Sequence, residues 1–418
     1  MDESQKIQIK TEGVKIFSLI LIFFIITIFK FFLSFFLPSF QSDIDLFRAW
    51  SKDLAENGFF GFYERWNSDY SPGYLFLLFF CGKIAKIFSL SVKWHNFLIK
   101  FWTILFEAIG GYLIYLIGKK HKKEKLGFYL AIFYLLNLAV IFNSSIWGQC
   151  DTLLATLLLL TFYFFEEKKI VFAILFFTLS VLTKLQGLFL LPLVIILFFK
   201  NFSLKRFFLS ILVSFFIFYS LSFPFFKKNE TYFILKYLFR GAKQYPFATV
   251  NAFNFWMLMK GQLAPENNQF FGLTYFKWAL IFLVPIIFIS LFLILKNFED
   301  PFFLYFSPFF LYFGIFLFLT RIHERYLVPA LIFLYPVLFF KPKLWPLILI
   351  LSFTSFSNMW YIYYRALEGM KRNDINFLWV KNNDPLALFI SGVNFFVFLF
   401  VLLFAFFLIF KKIMKKRE

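Results

Sequence analysis

The sequence predicts an all-α, polytopic membrane protein with about twelve transmembrane helices, forming a single domain over residues 1–418. Three observations lead there. Of the 418 residues, 61% are apolar and 16% charged, and a quarter are aromatic, with Phe alone contributing 76. A soluble domain carries about 45–50% apolar and about 25% charged residues. Apolar runs recur along the whole length, many near the roughly 20 residues a bilayer core demands. Lys and Arg gather between those runs, as topology determinants do. This composition excludes a soluble enzyme and a disordered chain. It also excludes an outer-membrane barrel, whose strands alternate apolar with polar. The net charge of +20 follows the same loop pattern, so no nucleic-acid partner is expected. Cys81 and Cys150, the only cysteines, offer neither a metal spacing nor a disulfide framework.

The runs fall at 14–37, 72–90, 94–117, 126–146, 151–165, 169–183, 186–199, 207–223, 273–295, 301–319, 326–340, 343–364 and 386–410. The first has no small-residue cleavage site after it and reads as a retained helix. The second opens on Pro72-Gly73 and carries Lys83 and Lys86. The strongest basic clusters are Lys119–Lys125 and Lys411–Arg417, with smaller ones at Lys168–Lys169, Lys200–Arg206, Lys296 and Lys341–Lys343. If every run crossed, Lys119–Lys125 and all later basic loops would lie outside. If 72–90 only dips into the outer interface, all of them and both termini lie on the cytoplasmic side. The second arrangement is the economical one. It leaves external segments at about 38–93, 224–272 and 365–385, the first holding an amphipathic juxtamembrane stretch, DIDLFRAWSKDLAENGFF. No internal repeat is visible. The chain is expected in a prokaryotic cytoplasmic membrane with its functional side facing outward.

The polar motifs then share that external side: Ser42-Asp43-Ile44-Asp45, Asp69-Tyr70-Ser71-Pro72-Gly73-Tyr74, Trp147-Gly148-Gln149-Cys150-Asp151, Lys184-Leu185-Gln186, Asn251-Ala252-Phe253-Asn254-Phe255-Trp256 and Arg321-Ile322-His323-Glu324-Arg325-Tyr326. Each alone has an ordinary reading: solvated carboxylates, a turn before a helix, a cap, a snorkelling lysine, a docked loop, a connector whose charges pair among themselves. Their joint placement argues otherwise, because the cytoplasmic loops hold almost only Lys. Ionisable groups at membrane depth are costly and need a reason to persist. Asp151 and Lys184 are the clearest cases, each sitting where one helix ends and the next begins. Glu107, in mid-helix, is expected to be a structural partner of a neighbour.

A carboxylate pair beside Arg, His and Lys suits group transfer from an anionic lipid donor. One carboxylate serves as general base on an acceptor hydroxyl. The cations bind the donor phosphate and stabilise the leaving charge. Nucleotide sugars and ATP are not normally present on that face, so the donor arrives activated on a lipid. No Gly-rich nucleotide loop, His-Glu-x-x-His zinc motif or Gly-x-Ser-x-Gly elbow appears. Asp43 and Asp45 could hold a divalent ion, and they fit a lone base equally well.

The ordered motifs SDIDLFRAW, DYSPGYL, WGQCD, LTKLQG, NAFNFW and TRIHERYLVPA, spanning residues 40–330, resemble the membrane mannosyltransferase group related to glycosylphosphatidylinositol mannosyltransferase II, within the GT-C glycosyltransferases. Ser71 and Leu185 stand where that group usually has proline, and Ile322 where Met is common; these touch backbone shape more than charge. The resemblance implies a GT-C-like fold with a non-spanning helix in the first external loop, a polyprenyl-phosphate sugar donor, and transfer with inversion to a lipid or glycan acceptor. By motif position Asp43 is the base and Asp45 its neighbour, and Asp69 and Tyr70 shape the same loop. Gln149, Asp151, Lys184 and Gln186 line the pocket, with Asn251 and Asn254 nearby. Arg321, His323 and Arg325 address the phosphate, flanked by Glu324 and Tyr326. The alternatives are a secondary transporter or flippase of lipid-linked sugars, or a GT-C enzyme moving an aminosugar or oligosaccharide. Transport sites lie near the bilayer midplane and often accompany inverted repeats, whereas the polar groups here gather at one face.

Overall fold

The computed structural model describes residues 3–225 and 244–414, with side chains from Ser18 to Phe410. The basic side chains of Lys411–Arg417 and residues 226–243 of the second external segment lie outside the described residues. In chain order the helices are α1 (Glu3–Phe36), α2 (Gln41–Asn57), α3 (Phe62–Trp66), α4 (Pro72–Ile87), α5 (Val92–Lys120), α6 (Glu124–Leu135), α7 (Leu138–Ile141), α8 (Asp151–Glu166), α9 (Ile170–Thr183), α10 (Leu191–Lys200), α11 (Leu204–Ser222), α12 (Phe255–Leu258), α13 (Tyr275–Lys296), α14 (Pro301–Phe318), α15 (Val328–Phe340), α16 (Trp345–Arg372) and α17 (Pro385–Met414). A two-stranded hairpin, β1 (Gln269–Phe270) with β2 (Leu273–Thr274), is the one sheet among the described residues. The chain is thus an all-α, multi-pass membrane protein. Among the described residues, six helical segments are long and apolar enough to cross a membrane: Ser18–Phe36, Val92–Lys120, Leu204–Phe225, Tyr275–Lys296, Pro301–Phe318 and Pro385–Phe410. A seventh arises if the bent pair Glu124–Leu135 and Leu138–Trp147 is one span.

That pair was expected as one run at 126–146. It bends by 44° because Asn137 caps a new helix there, its Oδ1 accepting from Ala139 N at 2.9 Å. The Asn137 amide is repaid by the Tyr335 hydroxyl at 2.9 Å and Ser352 Oγ at 2.6 Å. Beyond α7 the backbone widens into a π-helical turn, Phe142–Trp147, which Gly148 ends at φ +94°. π turns cluster at functional sites. A Cβ on Gly148 would stand 3.3 Å from Ile44 Cδ1, so glycine also lets α2 approach.

The stretch at 72–90 forms α4, 16 residues long and outside the six crossing candidates. Pro72 fits its first turn, where no intrahelical donor is needed. It packs on α2, whose apolar residues Ile44, Phe47, Trp50 and Leu54 recur at helical spacing and are buried. Burying those four side chains is worth at most roughly 6–12 kcal/mol. The helices touch at Gly82, where a Cβ would fall 2.0 Å from the Ser51 carbonyl oxygen. Ser51 Oγ donates to Leu78 O at 2.7 Å and meets His95 Nε2 at 2.8 Å, tying α2, α4 and α5 together.

α14 and α15 form the centre: every residue from Phe302 to Phe318 and from Val328 to Phe339 is buried. A helix apolar all round belongs inside a bundle. The bundle has two polar poles. At one, Glu166 bonds His121 (2.6 Å) and the Tyr305 hydroxyl, Lys120 pairs with Glu167 (2.6 Å), and Lys123 bonds Phe339 O. This pole therefore carries glutamates as well as the lysines expected there. The loop joining α14 to α15 at the other pole carries Arg321–Tyr326. Between the poles, Lys30 and Glu107 form a buried ion pair at 2.6 Å, giving Glu107 the structural partner expected of it.

Candidate functional site

Asp43 lies in the first turn of α2, where the helix dipole favours negative charge. The turn is anchored by Phe40, whose ring stacks on Trp147 at 4.1 Å and whose N donates to Trp147 O at 3.3 Å. Asp43 Oδ2 accepts from Trp147 Nε1 at 2.8 Å and from Gln149 Nε2. The Tyr70 hydroxyl donates to Gln149 Oε1 at 2.8 Å, which turns the amide's NH2 toward Asp43. Burial pushes the Tyr70 phenol well above its usual pKa, so it stays a donor. Asp43 Oδ1 has no protein partner among the described residues, and Asp43 lines a cavity. Asp45 points elsewhere: its side chain is 40% exposed, pairs with Arg48 at 2.6 Å and accepts from Gln41 at 2.6 Å. The two carboxylates thus take separate partners. Among the described residues, no three His, Cys, Asp or Glu side chains gather as a metal cage.

Asp151, at the start of α8, is buried behind the site and lines neither of the two cavities beside it. Its Oδ1 accepts from Lys184 Nζ, its Oδ2 from Asn143 Nδ2 at 3.0 Å, and Arg325 Nε stands 3.8 Å away. It therefore aims the two cations, while Lys184 also lies 5.1 Å from the Tyr326 ring centroid. Arg325 NH1 bonds Glu324 Oε1 at 2.6 Å, so this connector does pair within itself. Its Nε, however, is buried without a hydrogen-bond partner. Burial holds Glu324 above its usual carboxylate range despite Arg325. Asp69 is raised for the same reason, against the pull of Lys184 and Arg325. Burial, reinforced by the Arg325 and Lys184 charges, holds His323 well below the usual imidazole pKa, hence neutral.

Two cavities meet here. The first, about 450 Å³, is walled by Leu188, Phe189, Phe218 and Phe276, with Lys184, Gln186 and Arg321 as polar members. The second, about 390 Å³, holds Asp43, Gln149 and Trp50 beside Trp66 and Trp379. Asp69, Tyr70, Tyr245, His323, Arg325 and Tyr326 line both and form the wall between them. Gln186 Oε1 in the first and Trp50 Nε1 in the second are buried without partners. Buried polar atoms are rarely left unpaired in a finished interior; Arg325 Nε, 3.8 Å from Asp151 Oδ2, is a third without a hydrogen bond.

Other expected residues are placed differently. Arg321 lines the first cavity, but its guanidinium forks onto Glu266, with Nε 2.8 Å from Oε2. Asn254 lines neither cavity; it caps α12 by accepting from Trp256 N at 3.1 Å and donates to Phe316 O at 3.1 Å. Asn251 lines the second cavity in a left-handed conformation (φ +57°), and its Oδ1 accepts from Gln262 Nε2 (2.6 Å) and Val380 N (3.1 Å). Its role is to knot the loop before α12 to the segment after α16.

Sequence reasoning passed over Asn143, Lys100 and Glu266. Asn143 O accepts from both Gly148 N and Gln149 N, while its side chain holds Asp151. Lys100, buried and without a carboxylate, donates to Ser34 O, Ser39 Oγ (3.1 Å) and Ser145 O (3.2 Å), pinning the end of α1 to the π turn. A lysine within an apolar run is the signal that could have singled it out. No protein-family model and no curated protein matches the chain.

Proposed function

We propose that the protein is an integral-membrane glycosyltransferase of the GT-C type. It moves a sugar, mannose as the motif resemblance implies, from a polyprenyl-phosphate donor to a hydroxyl of a lipid or glycan acceptor, on the external face and with inversion. The observation that carries this reading is the shared wall. Asp43 lines one cavity, Lys184 lines the other, and Arg325 lines both. The apolar walls of the first cavity suit the start of a lipid chain below a phosphate. Lys184 and the Arg325 guanidinium, both steered by Asp151, would hold that phosphate and balance its charge as it leaves. The acceptor oxygen would enter from the second cavity. It bonds to the anomeric carbon as the bond from that carbon to the phosphate oxygen breaks. Its proton goes to Asp43, and polyprenyl phosphate departs. Attack from the side opposite the leaving group inverts the anomeric configuration.

Twelve crossings complete the reading. What supports them is that, among the described residues, six helical segments and the bent α6–α7 pair are long and apolar enough to cross, and that the shorter helices Ile170–Thr183, Leu185–Lys200 and Val328–Phe340 are apolar too. Several are short: α9 has 14 residues and α15 has 13. At about 1.5 Å per residue these fall below the roughly 30 Å core. They stop at the cavities, where irregular backbone at membrane depth is tolerated because it lines a polar site.

The test is to incubate the purified protein with radiolabelled polyprenyl-phosphate mannose, glucose and aminoarabinose in the presence of membrane lipids and glycans. Label should pass from one of these donors to a product, and Asp43→Asn should abolish it. Absence of transfer from all three lipid-linked donors would refute the proposal.

A further inference from the structure

From Tyr70 to Phe106 the chain has no acidic residue and four lysines. Lys100 is buried, as described above. The other three, Lys83, Lys86 and Lys93, are exposed around the tip that joins α4 to α5. None of the three is ion-paired among the described residues. Large apolar side chains stand out between them: Ile87 is 73% and Phe88 70% exposed, with Phe80, Val92 and Trp94 also exposed.

The depth of this tip can be read from its neighbours. The helix of the first crossing candidate ends at Phe36, and that of the second begins at Val92. Lys93 Nζ sits 4.2 Å from the Phe35 ring centroid and 4.7 Å from that of Phe36, and the Phe35 and Trp94 rings are 4.5 Å apart. The tip is therefore level with the ends of two crossing helices, where hydrocarbon gives way to headgroups. Lysines interleaved with Trp, Phe and Ile at that level are the makeup of interfacial segments. Apolar groups enter the acyl boundary while ammonium groups meet phosphate.

We propose that the α4–α5 tip is a docking surface for anionic phospholipid headgroups, with Lys83, Lys86 and Lys93 as the headgroup ligands. Because α4 is locked to α2 at Gly82 and Ser51, the same contact would seat the helix that bears Asp43 on the membrane. Charge complementarity fixes the class of lipid: three cations and no nearby acid in the segment discriminate against zwitterionic headgroups. The inference rests on the membrane placement alone and stands whether or not the protein transfers sugars.

The experiment labels Ser89→Cys, at the exposed tip, with a bimane fluorophore; Cys81 and Cys150 are buried and stay unlabelled. The protein is reconstituted in phosphatidylcholine vesicles containing, at equal mole fraction, either brominated phosphatidylglycerol or brominated phosphatidylcholine. The anionic quencher should be enriched at the label by at least about three-fold, and the preference should fade near 1 M NaCl, about where the Debye length has shrunk to 3 Å. Combined Lys83→Gln, Lys86→Gln and Lys93→Gln changes should abolish it, and the three Lys→Arg changes should keep it. If the triple glutamine variant does not reconstitute, each single change should remove part of the preference. Equal quenching by both lipids, or a preference that survives in the glutamine variants, would overturn the proposal. So would its loss to millimolar inorganic phosphate, which would point to a free anion instead.

Discussion

Replacing Asp43 by Asn removes one charge while keeping shape, and the site geometry fixes what should follow. The asparagine Oδ1 can take the position of Asp43 Oδ2 and still accept from Trp147 Nε1 and Gln149 Nε2. Hydrogen bonds to a charged group are worth about 1.5–3 kcal/mol and neutral ones about 0.5–1.5, and a first-turn charge adds about 0.3–1. The variant should thus lose about 2–4 kcal/mol of stability and remain folded. Transfer should suffer more. A general base contributes about 10²–10⁴-fold, equivalent to about 2.7–5.4 kcal/mol of barrier. The assay is single-turnover transfer at saturating lipid-linked donor, with donor binding and thermal unfolding measured on the same preparation. Asp45→Asn is the internal control. Its exposed pair with Arg48 is worth at most about 1 kcal/mol, and transfer should be close to normal. Near-normal turnover in Asp43→Asn with Asp45→Asn inactive would place the base two residues further on. Normal turnover in both would remove the first external loop from the chemistry.

Asp151→Asn should destabilise the fold by about 3–5 kcal/mol, because two buried cations lose their shared carboxylate; a thermal-unfolding change worth less than about 1 kcal/mol would show that Lys184 and Arg325 have other partners. Lys30→Met alone should cost a similar amount by leaving Glu107 unpaired, and adding Glu107→Gln should recover most of it, a rescue that a double-mutant cycle reads directly. His323 is held neutral by burial and by Arg325 and Lys184. As pH falls below the ordinary imidazole value of about 6.5, the unfolded chain therefore takes up a proton that the folded site refuses, and stability drops by at most about 1.4 kcal/mol per pH unit. His323→Gln should flatten that part of the unfolding-temperature profile, and an unchanged slope would mean that other groups set it. Single cysteines at Asn57 and Asn268 should react with an impermeant thiol reagent from outside intact cells, and one at Glu124 should not; labelling at Glu124 would break the twelve-pass topology.

The membrane class and nearly every helix were legible in the sequence. Long apolar runs, their caps and the basic loops between them are local signals, so the run at 151–165 reappears as Asp151–Glu166 and that at 169–183 as Ile170–Thr183. The oddity of the 72–90 run was legible too, through Pro72-Gly73, Lys83 and Lys86, and it forms a short helix packed on α2. Asn137 was harder, because a single cap inside an apolar stretch does not disturb the hydrophobic pattern. The partners of the polar groups were not legible at all. Asp43 meets Trp147 and Gln149 across 104 and 106 residues, and Lys30 meets Glu107 across 77. The motif resemblance named Asp43 as the base and Asp45 as its neighbour; on a helix positions two apart face different ways, and packing sets Asp43 at a cavity and Asp45 beside Arg48 and Gln41. The same holds for Arg321, whose fork Glu266 occupies, and for Asp151, which was expected to line the pocket and instead stands behind the cations. Apolar periodicity is written residue by residue, because every segment must satisfy the bilayer on its own. The pairing of buried polar groups is settled only when distant helix ends come together, since each group takes whichever partner the finished bundle brings within hydrogen-bond reach.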